Sequence, residues 1–450
     1  MKKTRIGVLA AFALAVTALT GCGGDSSSST TTSAPPPAET SSEAAPPAAE
    51  TVELTMSGWS LSTTPEFQVL VDAFHAANPD ITITLKEYDA NDYETLMLAD
   101  IASGTAPDII TIKQAKFTSQ WVDQGALADL SDVVAALPSN VSGASSYTVD
   151  GVNYGVPYRQ DHWVLFYNKD LFDKAGVEYP DGSWTWDDYV TAAKALYAAL
   201  GPDVKGTYEH SWQSTLQGFA NTQSPGADPS LVLNGEDYSY MKPYYERALD
   251  LQDSGAQVMY GDISTNKLTY QGQFGKQTAA MLPMGTWYVA TLIAQQASGD
   301  ADTFNWGIAP IPQYDSSTTG TDKVPVTFGD PTGFGMNPKL DDTKAAAVKK
   351  FLAYAASEDA GAALAGIGIL SCVSSDKVTT AYFAQSGIAT DDLSKFSIAT
   401  HKTGPENPTS THIAAVQTAL NDAHSAIMSE SSSIDDALAT ALEAIKAELA

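Results

Sequence analysis

From Val52 onward the chain alternates between two periods. Val52, Leu54 and Met56 are separated by polar residues, which predicts a strand with one buried face. Thr64 and Pro65 suit the N-cap and first position of a helix. Phe67, Leu70, Val71 and Phe74 then recur on one helical face until Asn78-Pro79 ends it. Ile81, Ile83 and Leu85 alternate again as a second strand, and Tyr93, Leu96, Met97 and Ile101 form a second helical stripe that stops at Gly104. Asp108 precedes Ile109, Ile110 and Ile112, an apolar run of the kind found in parallel strands covered on both faces. Strand, helix, strand, helix, strand predicts a doubly wound α/β sheet. Ligands of such sheets lie at the carboxyl ends of the strands. Those ends are Ser57 to Ser60 and Thr111 to Lys116, so Trp59, Ser60, Lys113 and Gln114 become candidate ligand-binding residues. Trp59 follows Gly58 and reads as a loop residue free to face a ligand, whereas Lys116 reads equally well as a solvated side chain.

The N-terminus follows a different pattern. Lys2, Lys3 and Arg5 precede an apolar run of 14 residues, Ile6 to Leu19, too short to cross a hydrocarbon core of roughly 30 Å. That is the layout of a secretory signal peptide over residues 1–21. Leu19-Thr20-Gly21-Cys22 resembles the lipobox of bacterial lipoproteins, which implies lipidation of Cys22 as the first mature residue. Acyl chains contribute roughly 0.8 kcal/mol per buried CH2, so a multiply acylated Cys22 would hold the protein to a membrane without a spanning segment. Residues 23–50 are almost entirely Ser, Thr, Ala, Pro, Gly and Glu, a composition that cannot offset its ordering entropy. Residues 22–50 therefore read as a lipidated cysteine and a tether.

Composition narrows the partners. The 450 residues carry 24 Lys+Arg against 53 Asp+Glu, a formal charge of -29. Removing residues 1–21 takes away Lys2, Lys3 and Arg5 and no acid, which moves the charge from -29 to -32. Such a surface repels nucleic acid and anionic bilayers and suits a neutral ligand better than an anionic one. With 44% hydrophobic residues the chain is long enough and apolar enough for two lobes with their own cores. Cys372 is the only thiol beyond Cys22, so no internal disulfide is expected and Cys372 reads as a buried, inert residue.

Several blocks carry a family resemblance. Phe74-His75-Ala76-Ala77-Asn78-Pro79-Asp80-Ile81, Gly104-Thr105-Ala106-Pro107-Asp108-Ile109-Ile110, and Gly125-Ala126-Leu127-Ala128-Asp129-Leu130 open the series. Asp150-Gly151-Val152-Asn153-Tyr154-Gly155-Val156-Pro157, Phe166-Tyr167-Asn168-Lys169-Asp170-Leu171-Phe172, and Gly285-Thr286-Trp287 continue it. In this order, behind a lipobox, they resemble the extracellular carbohydrate-binding proteins of ABC importers, the family 1 solute-binding proteins. The resemblance implies an α/β, two-lobed periplasmic-binding-protein-like fold, each lobe a doubly wound sheet, joined by a hinge that the chain crosses more than once. It places lobe 1 at 51–160 plus about 312–372 and lobe 2 at about 161–311 plus 373–450. It further implies a monomer on the extracellular face of the membrane that binds a sugar in the cleft, needs no cofactor, and works with ABC permease subunits.

A pyranose presents apolar C–H surface and a rim of hydroxyls, so its site needs aromatic platforms beside carboxylates, amides and basic groups. Trp121, Trp186 and Trp306 sit within apolar stripes and read as core. Trp287 follows Met284-Gly285-Thr286, where the resemblance implies an aromatic that stacks on the sugar. Asp161 matches a position where relatives place a sugar-binding carboxylate, although it reads equally as an anchor of the hinge. Tyr158, expected in a turn, and Trp163 share that ambiguity. Trp212, in Glu209-His210-Ser211-Trp212-Gln213, matches a less regular binding loop. Gly329-Asp330-Pro331-Thr332-Gly333 reads as a Gly-bracketed turn in which Asp330 could accept from a hydroxyl. The six His residues show no metal-binding spacing, and there is no Gly-x-Ser-x-Gly elbow or phosphate loop, so neither an enzyme nor a metal site is expected. A glycosidase needs only two carboxylates roughly 5–10 Å apart, so counting acids leaves that alternative open. A ligand-binding surface lipoprotein not coupled to transport is the other alternative.

Overall fold

The computed structural model describes residues 51–62 and 65–450. Thr64, Cys22 and the whole of segments 1–21 and 22–50 lie outside the described residues. Strand β1 (Val52–Trp59), helix α1 (Glu66–Ala77), β2 (Ile81–Tyr88), α2 (Tyr93–Ser103) and β3 (Ile109–Ile112) follow in the expected order. β1 runs parallel to β2 along its whole length and to β3 at Met56 and Ile109. All of β3 is buried, as its unbroken apolar run requires. Gly104 ends α2 with φ 76°, a left-handed conformation that costs glycine little. Trp59 is a strand residue paired with Tyr88 and not a loop residue, because ladder pairing outlasts the apolar alternation. α1 begins at Glu66, one residue after Pro65.

The chain continues through β4 (Val156–Gln160), β5 (Trp163–Asn168), α3 (Trp186–Leu200), β6 (Met281–Gly285), α4 (Tyr288–Ser298), β7 (Trp306–Pro310), β8 (Val326–Phe328) and β9 (Pro331–Met336). It ends with α5 (Glu358–Ala365), α6 (Asp376–Ala384), α7 (Asp392–Ala399), β10 (Lys402–Gly404) and α8 (Ile413–Met428), followed by a last helix, Ile434–Leu449. The first sheet has five strands in the order β2-β1-β3-β9-β4, with β9 antiparallel to both neighbours. The second has three, with β5 between β6 and β7 and antiparallel to both. The doubly wound pattern thus describes the first sheet, whereas the second is antiparallel about the strand that arrives from the hinge. Trp121, Trp186 and Trp306 are buried. Thr185 and Asp188 cap the start of α3 reciprocally, which fixes Trp186 at its first turn. Cys372 is buried, and that burial pushes its thiol up to about 12, away from the reactive range.

β8 and β10 form a separate parallel pair, and two crossings run side by side: Gln160 to Trp163 between the first and second sheets, and Phe328 to Pro331 between that pair and the first sheet. The Gly329–Gly333 segment is not a turn. Gly329 does not have positive φ, and it is small because a Cβ there would lie 2.1 Å from the carbonyl oxygen of Asp161. Gln160 Nε2 donates to the Gly329 carbonyl at 3.3 Å, and Thr327 Oγ1 to the Trp163 carbonyl at 2.7 Å. A third passage lies between α6, which packs on α5, and α7, which packs on β7. The register of β9 against β4 slips between Thr332 and Gly333, leaving Tyr158 as the extra residue inside a strand instead of in a turn. The bulge aims adjacent side chains at one target. Tyr158 Oη donates to Glu66 Oε1 at 3.1 Å, and Arg159 Nη1 meets Glu66 Oε2 at 2.5 Å. Arg159 Nε lies 3.0 Å from Asp161 Oδ2, and Asp161 Oδ1 accepts from Thr286 Oγ1 at 2.8 Å. One guanidinium therefore links α1 of the first lobe, through the hinge, to the end of β6 in the second.

Substitution Gly329→Ala is expected to cost at least about 1–3 kcal/mol in urea unfolding, because backbone cannot yield as a flexible side chain can. An unchanged midpoint would mean that the crossings are not in contact. Arg159→Leu should cost on the order of 3–5 kcal/mol by stranding two buried carboxylates. Adding Glu66→Gln and Asp161→Asn to that variant should recover part of the loss, and no recovery would contradict the linkage.

Candidate ligand-binding site

Trp59 stands at the carboxyl end of β1, wedged edge-on between Phe67 and Tyr93 at 5.0 and 5.2 Å between centroids. These neighbours fix the indole, which is 9% exposed. Lys113 Nζ lies 5.5 Å and Arg159 Cζ 5.9 Å from its ring centre, so two cations flank its π system. Burial holds the Lys113 ammonium below its ordinary pKa, and its Nζ donates to the Ala90 carbonyl. Gln114 Nε2 donates to Glu94 Oε1 at 2.8 Å. Ser60 adopts φ 52° directly after Trp59 and turns the chain away from the sheet.

Across the hinge, Trp287 caps the start of α4 and meets Trp163 edge-on at 5.7 Å. Trp163 is buried among Phe219, Phe328 and Trp287, so it packs against Trp287 and is not itself open to a ligand. Trp287 lies beside the Tyr270 hydroxyl, which burial pushes up to about 12. Tyr270 and Trp212 stand 5.7 Å apart, and His210 packs on Trp212 at 4.6 Å. Trp212 is 37% exposed, a large apolar surface left open at this wall. His210 is held down to about 4 by burial, so the wall carries no imidazolium at neutral pH. Trp212, Tyr270 and Trp287 form an aromatic wall on the second lobe. It connects through Thr286, Asp161 and Arg159 to Trp59 on the first.

The structure brings Trp59, Lys113, Asp161, Trp212 and Trp287 into this series, with Ser60 and Gln114 on its first-lobe margin. It does not bring Asp330 there. Asp330 Oδ1 accepts from the Glu406 amide at 3.1 Å, in a hinge cavity lined by Gln160 and none of these aromatics. Tyr158 is buried with its ring stacked on Phe334 at 4.4 Å, so it supports the hinge from beneath. Asp161 is buried and engaged by Arg159 and Thr286, the anchoring role left open by its sequence. Sequence reasoning passed over Glu66, Arg159 and Tyr270. Arg159 carried a signal, being an arginine inside an apolar strand segment two residues before an aspartate. A further tie joins the lobes where Lys116 Nζ and Gln213 Nε2 both donate to Gln417 Oε1 of α8, at 3.1 and 2.5 Å. Among the described residues no group of three or more His, Cys, Asp or Glu could hold a metal, and no helix is long and apolar enough to cross a membrane.

The family profile of bacterial extracellular solute-binding proteins matches residues 60–362. A sugar transporter of Rhizobium etli, solved in an open conformation, superposes with a TM-score of 0.72 at 31% identity, covering 88% of this chain and 99% of that one. A putative binding protein of Brucella abortus is 25% identical over 299 residues, 61% of this chain and 66% of its own length. The chain thus spans just under two thirds of that curated relative. An arabinooligosaccharide-binding protein of Bacillus subtilis is 26% identical over 207 residues, 45% of this chain and 47% of the relative. With its sheets joined by paired crossings and an aromatic series that spans them, the chain belongs to the bacterial extracellular solute-binding protein family.

Proposed function

We propose that this protein captures a sugar, an oligosaccharide, between its lobes and delivers it to an ABC permease. The observation that carries this reading is the series from Trp59 through Arg159 and Asp161 to Trp287, Tyr270 and Trp212. It offers aromatic faces for pyranose C–H surfaces and buried polar groups for the hydroxyl rim. The ligands named for the Rhizobium and Bacillus relatives, a sugar and an arabinooligosaccharide, support the same class. We take Trp59, Lys113, Trp212 and Trp287 as ligand contacts, Ser60 and Gln114 as their margin, and Asp161 as a hydroxyl acceptor that also anchors the hinge. We assign lobe 1 to 51–160 with 331–384 and lobe 2 to 163–328 with 392–450, in place of the expected boundaries near 312 and 372, because β8 lies against β5 and α6 packs on α5.

Closure follows from differential affinity. A ligand that touches both lobes binds the closed form more tightly and shifts the population toward it by that difference. A permease can then read occupancy from shape. No catalytic step is involved: the sugar leaves as it arrived. The protein acts as a monomer at the extracellular face, held there by the lipid on Cys22 after removal of residues 1–21.

Trp287→Ala is expected to weaken oligosaccharide binding by on the order of 2–4 kcal/mol in calorimetry, with the fold retained. An unchanged dissociation constant would contradict the platform role, and release of shortened sugars during incubation would contradict a pure binding function. Cys22→Ser should release the protein from the cell membrane into the medium. Retention of that variant in the membrane fraction would contradict lipid anchoring.

A further inference from the structure

The hinge has a second face. Arg159 and Asp161 point toward the aromatic series, whereas Gln160 between them points the other way, where a Cβ on Gly143 would lie 2.9 Å from Gln160 Oε1. On that side is a cavity of about 550 Å³, within the range of small-molecule sites. Ser142 and Ser146 line one wall, Thr403 and Asn407 the opposite wall, and Gln160 and Asp330 the hinge itself. Neither Trp59, Trp212, Trp287 nor Asp161 reaches it. The cavity is therefore a separate space whose walls come from both crossings and from the segment that follows α7.

Its chemistry is one-sided. Hydroxyls and amides stand among prolines and glycines on the walls, Asp330 supplies a carboxyl group, and no Lys or Arg is among the lining residues. Glu406 adds a second acid beside Asp330. Lys116 is the cation that acts on Asp330, and its Nζ is engaged by Gln417 at 3.1 Å. An anion entering here would meet two acids. An ammonium would meet a carboxylate together with hydroxyl and amide oxygens placed to accept its three N–H donors. We propose that this hinge cavity is a second binding site, separate from the aromatic cleft, for a small organic cation bearing a protonated primary amine.

Protons compete for the same carboxylate. Burial and Glu406 push Asp330 up to about 7, so protons and an ammonium compete for this carboxylate around neutrality. The titratable and charged groups around it are Glu406, Lys116 and Tyr147, with His401 lining the same space and kept neutral by burial. Affinity should accordingly fall as pH drops from 8 to 6.

The test is calorimetry on the mature protein with 1,4-diaminobutane, using 1,4-butanediol and succinate as neutral and anionic counterparts of similar length. We expect saturable binding of the diamine at pH 8, at least tenfold tighter than the diol, and none of succinate. Asp330→Asn should weaken diamine binding at least tenfold. Ser145→Lys, at an exposed lining position, should do the same by supplying a cation from the protein, which covers the case in which Asp330→Asn fails to fold. Trp287→Ala should leave the diamine affinity within twofold, whatever it does to sugars. Equal affinity for diol and diamine, indifference to both cavity variants, or loss of diamine binding in Trp287→Ala would overturn the proposal, the last by placing the cation on the aromatic wall.

Discussion

The structure depends on a backbone contact. Two chain segments cross between the sheets so closely that Gly329 leaves no room for a Cβ against the Asp161 carbonyl. Segments held that near to one another can rotate together but cannot separate, which confines lobe motion to a bend about one line. The same proximity sets the faces of the hinge. Arg159 and Asp161 are turned toward Trp59 and Trp287, and Gln160 toward the cavity on the other side. A bulkier residue at 329 would displace both faces at once.

Burying a guanidinium and two carboxyl groups at the hinge is costly, and the geometry shows how the cost is contained. Glu66 is raised above the ordinary carboxylate range by burial, with Arg159 opposing that rise. The guanidinium sits between two acids instead of one, so each buried carboxyl group has a cationic partner. A hydroxyl-rich ligand arriving beside Asp161 would meet groups already desolvated and oriented. Such preorganisation favours selectivity for hydroxyl placement over raw affinity.

Much of this was legible in the chain and some was not, for physical reasons. Period-two and period-3.6 patterns marked β1 to β3 because parallel strands and their covering helices each bury a defined face. Trp287 stood out because it interrupts no apolar stripe, and Trp121, Trp186 and Trp306 were recognisable as core for the converse reason. Tyr158 and the Gly329–Gly333 stretch misled because a bulge and a close backbone approach use the residues that turns use. The antiparallel second sheet left no trace in periodicity, since fully buried strands read alike in either direction. Arg159 left only the trace of an arginine inside an apolar strand segment, because the acids it pairs with across the hinge are set by tertiary placement.

A ligand that bridges the aromatic series should bring the lobes together about the Gly329–Asp161 contact. Spin labels at Asn91→Cys and Thr265→Cys, both exposed, test it by pulsed dipolar distance measurement, since buried Cys372 does not take label. Addition of a bound oligosaccharide should move the distance distribution to shorter values, whereas saturable sugar binding with an unchanged distribution would contradict the account.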